Sequence, residues 1–130
     1  MKLTGKCKEE FEKWRKKQNY DVDAPFFYEL NYSMQYGVYV DFFDSVGIYI
    51  DISFYELNSG IIEFDYTIGA LNVLDIYGDD FKRRPEARTA AIEKANEIYN
   101  YERMYNIEEI ENSLIAKIDV ELKKWIKDDL

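Results

Sequence analysis

Two segments that alternate between apolar and polar residues constrain the fold of this chain more than any other feature. The first has apolar residues at positions 48, 50, 52 and 54, and the second has them at 62, 64, 66 and 68. A period of two puts successive side chains on opposite faces of a strand. Because the turn signal Asn58-Ser59-Gly60 joins the segments, they predict an antiparallel β-hairpin with one apolar and one polar face.

Helical periodicity flanks the hairpin on both sides. Apolar residues at intervals of three and four predict helices over residues 4–18, 33–45, 85–100 and 107–127. Thr4 suits the N-cap of the first of these helices, and Pro85 suits a first turn, where its missing N–H costs nothing. Residues 33–45 keep a strand as their alternative, because Val38-Tyr39-Val40 is β-prone.

The strands are expected at residues 48–57 and 61–68, with 71–77 as a possible third strand and Gly78-Asp79-Asp80 as the turn after it. Asn19–Pro25 is mostly polar and ends in proline, so we read it as a linker. The predicted class is therefore α+β, with an antiparallel hairpin or three-stranded sheet packed against helices in a single domain over residues 1–130.

Charge is distributed unevenly along the chain. The net charge of −9 divides into +4 for residues 1–17, −12 for residues 18–81 and −1 for residues 82–130. The middle segment contains twelve acids and neither lysine nor arginine. Its carboxylates cannot pair locally, so they either form a solvated face or meet a basic partner. A phosphate backbone would be repelled, which disfavours direct nucleic-acid binding.

A partner-binding surface is expected on the polar face of the hairpin and on the helix before it. Tyr49 and Tyr55 share the outward parity of the hairpin and could anchor a contact. The carboxylates that complete this candidate set are Asp41, Asp44, Asp51, Glu63 and Asp65. Some of them could instead bind Mg²⁺ or Ca²⁺, since Asp41 and Asp44 share a helix face. No EF-hand spacing is present, so we expect no metal, and a metal-dependent enzyme is the weaker alternative function.

A basic cluster, Lys82-Arg83-Arg84, precedes a predicted helix, and Arg88 follows one turn later. Helix N-termini receive phosphates, so these four residues are the alternative candidate site, for an anionic ligand such as a nucleotide messenger. The simpler interpretation is that the cluster pairs with nearby acids such as Asp79 and Asp80.

The residue types that most enzyme chemistry needs are missing. The chain has no histidine and one cysteine, Cys7, which excludes an internal disulfide, a multi-cysteine zinc site and a Ser-His or Cys-His nucleophile. Lys6 and Lys8 could lower the pKa of the Cys7 thiol, although a small helix residue is the simpler interpretation. The glycines form neither a Walker nor a dinucleotide-binding pattern. We expect a protein that is not an enzyme and has no cofactor.

The last predicted helix carries an apolar stripe, formed by Ile107, Ile110, Leu114, Ile118, Leu122 and Trp125. This stripe is expected to pack on the rest of the domain or to form a homodimer seam through residues 107–126. No segment reaches the ~20 apolar residues of a membrane span, and no signal sequence is visible. We therefore expect a cytoplasmic protein without a membrane partner.

Two segments, Ser33–Ile48 (SMQYGVYVDFFDSVGI) and Arg84–Tyr99 (RPEARTAAIEKANEIY), resemble parts of small, uncharacterised phage and prophage proteins. The order of a helix, strands and an alanine-rich helix is similar to the phage ABA-sandwich domain, over about residues 33–100. The resemblance implies a phage-encoded accessory protein in the host cytoplasm and carries over no catalytic residues. With the acidic surface, it suggests a protein that inhibits or redirects a basic host protein, such as a defence factor, by imitating the charge of DNA.

Overall fold

Five helices and three strands make up the part of the chain that the computed structural model describes, residues 1–18, 24–70, 73–104 and 107–128. In chain order they are α1 (Gly5–Lys17), α2 (Ala24–Glu29), α3 (Tyr32–Ser45), β1 (Ile48–Glu56), β2 (Ile62–Ala70), β3 (Val73–Phe81), α4 (Arg84–Met104) and α5 (Ile107–Asp128). The strands form an antiparallel sheet in the order β1-β2-β3. The helices α3 and α4 pack against this sheet, and α1 packs against both helices. The α+β class predicted from the sequence is confirmed.

The hairpin of β1 and β2 has an unbroken register. Its pairs run from Ile48 opposite Ala70 to Glu56 opposite Ile62. The loop closes through a hydrogen bond of 2.9 Å from the Leu57 N–H to the Ile61 carbonyl, and Gly60 adopts the positive φ of 81° that the tight turn requires. Alternate residues therefore face the helices on one side and solvent on the other.

Residues 33–45, for which the sequence left helix and strand open, lie in α3. The side chain of Asn31 caps this helix by accepting a hydrogen bond of 3.0 Å from the Met34 N–H. Tyr39, Phe42 and Phe43 are buried at a spacing of three and four residues. Burial of this aromatic face outweighs the β-propensity of Val38-Tyr39-Val40.

The third strand is longer than predicted, because the expected turn Gly78-Asp79-Asp80 lies inside it. The register of β2 and β3 shifts between Phe64 and Tyr66, so the chain inserts an irregularity there and continues to Phe81. Asp80 takes the irregular position, with a φ of 68°, in the left-handed region that aspartate tolerates better than most residues. Residues 71 and 72 of the predicted strand lie outside the described residues.

The predicted linker Asn19–Pro25 falls mostly outside the described residues, which resume at Ala24. Ala24 and Pro25 begin α2. No sequence pattern predicted this short helix, whose six residues bring Phe27 into the core with an exposed fraction of 1%.

An aromatic cluster around Phe11 holds the helices together. The Phe11 ring centroid lies 5.2 Å from that of Phe27, 4.9 Å from that of Tyr39 and 5.4 Å from that of Phe42. These contacts join α1 to α2 and α3, and the Phe42 ring reaches Tyr99 of α4 at 6.0 Å. Edge-to-face and tilted pairs at these distances contribute beyond simple area burial.

A fully buried arginine lies against this cluster. The Arg15 guanidinium is 5.3 Å from the centre of the Phe27 ring and 5.9 Å from that of Tyr28. It forms an ion pair with Glu12, which also accepts a hydrogen bond of 2.5 Å from the Tyr28 hydroxyl. A buried cation needs such a counter-ion, because desolvation would otherwise cost several kcal/mol. Glu12 is therefore part of the core packing, although its side chain is partly exposed.

Two asparagines of α4 hold the N-terminus of α1. The Thr4 N–H donates to Asn96 Oδ1 and the Cys7 N–H donates to Asn100 Oδ1, each at 2.9 Å. Thr4 occupies the N-cap position but makes no side-chain cap; its hydroxyl instead accepts a hydrogen bond from Asn96 Nδ2 at 3.0 Å. These two backbone N–H groups at the start of α1 are thus hydrogen-bonded by side chains of another helix. No local sequence signal indicates such hydrogen bonds.

Cys7 is buried on α1, consistent with its interpretation as a small helix residue. Burial raises the pKa of its thiol to about 12, opposite to the lowering that Lys6 and Lys8 suggested. The thiolate is therefore scarce at neutral pH.

The ion pair of Glu12 and Arg15 generates the first prediction. Burial acts to raise the pKa of the Glu12 carboxyl, but the hydrogen bonds from Tyr28 and Arg15 outweigh it and leave the pKa below its usual value. A lowered folded-state pKa stabilises the fold above pH 4.5, the ordinary value, and this contribution disappears as pH falls through the lower folded value. Glu12→Gln should therefore cost about 1–2 kcal/mol at pH 7 and progressively less at acidic pH.

Urea unfolding at pH 7 and pH 3 measures this difference. Glu9→Gln is the matched control, because Glu9 pairs with Lys6 at the surface of the same helix, where both side chains are more than 60% exposed. That substitution should change little. Equal losses for the two variants at pH 7 would contradict the assigned role of Glu12.

The close approach of Tyr66 to Gly78 generates the second prediction. The two residues are paired across β2 and β3, and a Cβ added at Gly78 would overlap the buried Tyr66 ring. Gly78→Ala should therefore destabilise the fold by about 1–3 kcal/mol. Gly69→Ala in β2 is the control, since its Cβ would meet only the end of the exposed Asp75 side chain at 3.3 Å. Thermal unfolding that ranks the two variants in the reverse order would refute this packing.

Candidate functional site

The face of the sheet that points away from the helices is open to solvent. We define the outer face by the residues whose parity in the register opposes that of the buried Ile48, Tyr66 and Ile68: Tyr49, Asp51, Ser53, Tyr55, Glu63, Asp65, Thr67, Gly69, Asp75 and Tyr77. Thr67 stands between Asp51 and Tyr77 in one cross-strand row. The outer face is therefore a continuous surface across all three strands.

Five of the seven predicted partner-binding residues belong to this surface. They are Tyr49, Asp51, Tyr55, Glu63 and Asp65. The alternation of β1 and β2 was enough to assign them to one face, because the register of the hairpin has no interruption.

The structure adds residues of β3 that the sequence analysis did not assign to this surface. Tyr77 is 70% exposed, compared with 54% for Tyr49. Asp75 lies over Gly69, and Asp80 reaches the outer face through its hydrogen bond with Tyr55. The sequence did not indicate which face the β3 side chains occupy, because the register of β3 shifts. After such a shift, the strict alternation of side chains between the two faces is interrupted.

Tyr55 links two carboxylates of the outer face. Its hydroxyl lies 2.9 Å from Glu63 Oε2 and 2.9 Å from Asp80 Oδ1. Partial desolvation and these two hydrogen bonds raise the pKa of Tyr55 above its usual range, so the hydroxyl keeps its proton and remains a donor. The shared proton holds the two negative side chains near each other. On the same face, the Ser53 hydroxyl donates to Asp65.

Among the described residues, no basic side chain forms an ion pair with the carboxylates of the outer face. Neither lysine nor arginine occurs in residues 18–81. In the described part of the chain, the ion pairs that form do so within α1, α4 and α5, at spacings of three or four residues. None reaches Asp51, Glu63 or Asp65, so these carboxylates remain available to an external cation or basic group.

Asp41 and Asp44 lie apart from the other predicted residues. Both are exposed on α3, in the helical layer that packs on the opposite side of the sheet. The structure therefore does not unite them with the carboxylates of the outer face. Among the residues that the structure describes, no group of three cysteine or acidic side chains is placed to hold a metal ion.

The basic cluster lies at the start of α4, with two arginines stacked on aromatic rings. The Arg84 guanidinium is 5.0 Å from the centre of the Phe64 ring, and the Arg88 guanidinium is 5.0 Å from that of Tyr36. Within the described ranges, neither these arginines nor Lys82 and Arg83 form an ion pair with Asp79 or Asp80, so the expected pairing is absent. The reason is geometric, since Asp80 turns to Tyr55 on the outer face while Phe64 and Tyr36 direct the arginines to the helical side.

A shallow cleft beside the same helix start is not basic. It is lined by Tyr32, Pro85, Glu86, Thr89, Ala90 and Glu93. The Tyr32 hydroxyl donates to the Pro85 carbonyl at 2.8 Å and also contacts Thr89. Because Glu86 and Glu93 line the cleft and the arginines do not, its electrostatics oppose an anionic ligand.

The hydropathy of the helices and comparison with known proteins provide no further indication of function. Of the helices in the described ranges, none is long and apolar enough to cross a bilayer. Comparison of the chain with protein families, curated proteins and solved structures gave no match.

Proposed function

We propose that this chain is a binding protein whose outer face contacts a basic surface of another protein. One observation carries the proposal: the carboxylates and exposed tyrosines of three strands share one open face, and no basic residue of the sheet neutralises them. Tyr49 and Tyr77 supply apolar area with polar tips, which is the composition of contact anchors. The carboxylates supply the charge that would select the partner.

Electrostatics favours a basic partner over a neutral one. Exposed like charges on one face repel each other, and a basic surface relieves this repulsion on binding. Such a complex associates fast at low salt and more slowly as salt shortens the Debye length to about 8 Å at physiological ionic strength. A negatively charged surface would compete with nucleic acid for a basic site on the partner. Together with the resemblance of residues 33–48 and 84–99 to phage proteins, this leads us to propose a phage-type accessory protein that inhibits or redirects a nucleic-acid-binding host protein, such as a defence factor.

Charge reversal on the two sides of the sheet tests this proposal. Asp51→Lys with Asp65→Lys changes the outer face, whereas Asp41→Lys with Asp44→Lys changes α3 by the same net charge. The partner is first captured at low salt from a bacterial host lysate on the immobilised chain, identified by mass spectrometry and purified. The outer-face variant should bind it at least about 10-fold more weakly, with a smaller dependence on salt, and the α3 variant should bind like wild type.

Competition with duplex DNA completes the experiment. If the chain occupies a nucleic-acid site, DNA should displace it from the purified partner. Equal binding by wild type and the outer-face variant at both low and high salt would refute the proposed surface. Equal losses for both charge-reversal variants would show that net charge, not the outer face, determines binding.

A second candidate function is the binding of a phosphate-bearing ligand, such as a nucleotide messenger, by Lys82, Arg83, Arg84 and Arg88. The stacking of Arg84 and Arg88 on aromatic rings favours it, because stacked guanidinium groups are held in place for bidentate phosphate contacts. In addition, the buried Nε of Arg88 has no hydrogen-bond partner among the described residues. The acidic cleft alongside argues against it, since no enclosed basic pocket accompanies the arginines.

Calorimetric titration with pyrophosphate and with a cyclic dinucleotide distinguishes the two candidates. If the second candidate function is correct, the wild-type chain should bind these ligands. The double variant with Arg84→Gln and Arg88→Gln should bind them at least about 10-fold more weakly. Lys94→Gln is the control on the same helix, because Lys94 is already paired with Glu97 at 3.2 Å. Absence of binding by wild type would eliminate this candidate and leave the outer-face proposal unaffected.

A further inference from the structure

The helix α5 presents an apolar face that the described chain leaves uncovered. All side chains of residues 114–126 are exposed. At 100° per residue, the apolar ones gather on one side, which we call the α5 stripe: Leu114, Ile115, Ile118, Leu122, Trp125 and Ile126. Val120 is the exception and lies on the opposite side. The side chains of Ile107 and Ile110, which the sequence adds to this stripe, lie outside the described residues.

The exposed area of the chain is larger than a compact monomer would have. Its accessible surface is 9467 Å², whereas a folded monomer of 15.6 kDa is expected to expose about 7,200 Å². A standard protein interface removes about 800 Å² from each partner. The excess of the whole chain is larger than that area, and the side chains of the α5 stripe, each 53–71% exposed, contribute to it.

Charge restricts what can cover the α5 stripe. Lys117 and Glu121 border one edge, and Asp119 and Lys123 border the other, where they pair at 3.4 Å. The residues nearest the stripe thus give each edge one base and one acid, and Lys124, which pairs with Glu121 at 3.9 Å, lies farther from the stripe. An anionic membrane or a nucleic acid would meet a chain of net charge −9 and find no basic edge to bind. A second α5 presents the same neutral edges and the same apolar residues, so it matches in both respects.

We propose that the α5 helices of two copies pair antiparallel about a two-fold axis near residue 120, so that the chain is a homodimer. This axis brings Ile118 opposite Leu122 of the second copy, Leu114 opposite Ile126, and Ile115 opposite Trp125. The two-fold operation places each edge against the same edge of the other copy. Asp119 then lies about half a helical turn both from the second copy's Asp119 and from its Lys123, so the long lysine side chains must screen the two carboxylates.

Repulsion between the acidic bodies selects the antiparallel orientation. In the sequence, α5 follows α4 after two residues, and its 22 residues span about 33 Å. Antiparallel pairing puts the two bodies at opposite ends of the seam, several Debye lengths apart. Parallel pairing would bring them to the same end, about one helix diameter apart, where screening is weaker.

Two equally exposed residues on opposite sides of α5 provide a matched test. Leu122 and Val120 are each 55% exposed, so an aspartate at either position should disturb the isolated chain to a similar degree. Sedimentation equilibrium of the full chain should show a wild-type dimer at ~10 μM. Leu122→Asp should raise the dimer dissociation constant about 30-fold or more, as loss of a central interface residue does, and Val120→Asp should leave it within about 3-fold. A wild type that stays monomeric at ~100 μM, or equal effects of the two substitutions, would overturn the proposal.

Disulfide trapping tests the orientation of the seam. Under oxidation, a chain with Leu114→Cys and Ile126→Cys should form covalent dimers, and a chain with Leu114→Cys alone should not. Cross-linking by Leu114→Cys alone would establish a parallel seam and overturn the antiparallel arrangement. Binding of monomeric wild type to phosphatidylglycerol vesicles, with a blue shift that Trp125→Tyr abolishes, would identify a membrane as the occupant and refute the dimer.

Discussion

The packing of aromatic rings around Phe11 is the interaction on which the rest of the structure depends. A single side chain of α1 contacts rings from α2 and α3, and Phe42 extends the contact to Tyr99 of α4. Four helices are thereby fixed on one side of a three-stranded sheet. Because these helices pack on the same side, no helix in the described chain covers the other side of the sheet, which becomes the outer face.

The polar contacts around this cluster fix the position of α1 where rings alone would allow it to slide. Arg15 lies over Phe27 and Tyr28 while Glu12 neutralises it, and the asparagines Asn96 and Asn100 hold the start of the helix. Each of these groups is costly to bury alone and is stabilised only in this arrangement. Buried polar groups of this kind favour one packing over its alternatives, because a shifted helix would leave them unsatisfied.

The same architecture separates three surfaces of different character. The outer face collects carboxylates and tyrosines, the start of α4 collects arginines stacked on Phe64 and Tyr36, and α5 extends from the body with an apolar stripe. In the described chain, no ion pair joins Arg84 or Arg88 to Asp51 or Asp65. This separation is what allows the proposed partner, an anionic ligand and a second copy to be tested with independent substitutions.

The sequence by itself determined the hairpin, its faces and the class of the fold, because a strict period of two over residues 48–55 and 62–68 permits one assignment of inside and outside. It could not place Asp41 and Asp44 relative to that hairpin, since the distance between a helix and a strand is set by packing between them. Nor could it show that Gly78 lies beneath Tyr66, that Asp80 turns to Tyr55, or that Asn100 caps α1 from a position 93 residues away. These features depend on contacts between residues remote in sequence, and local propensity carries no information about such contacts; only the tertiary structure decides them.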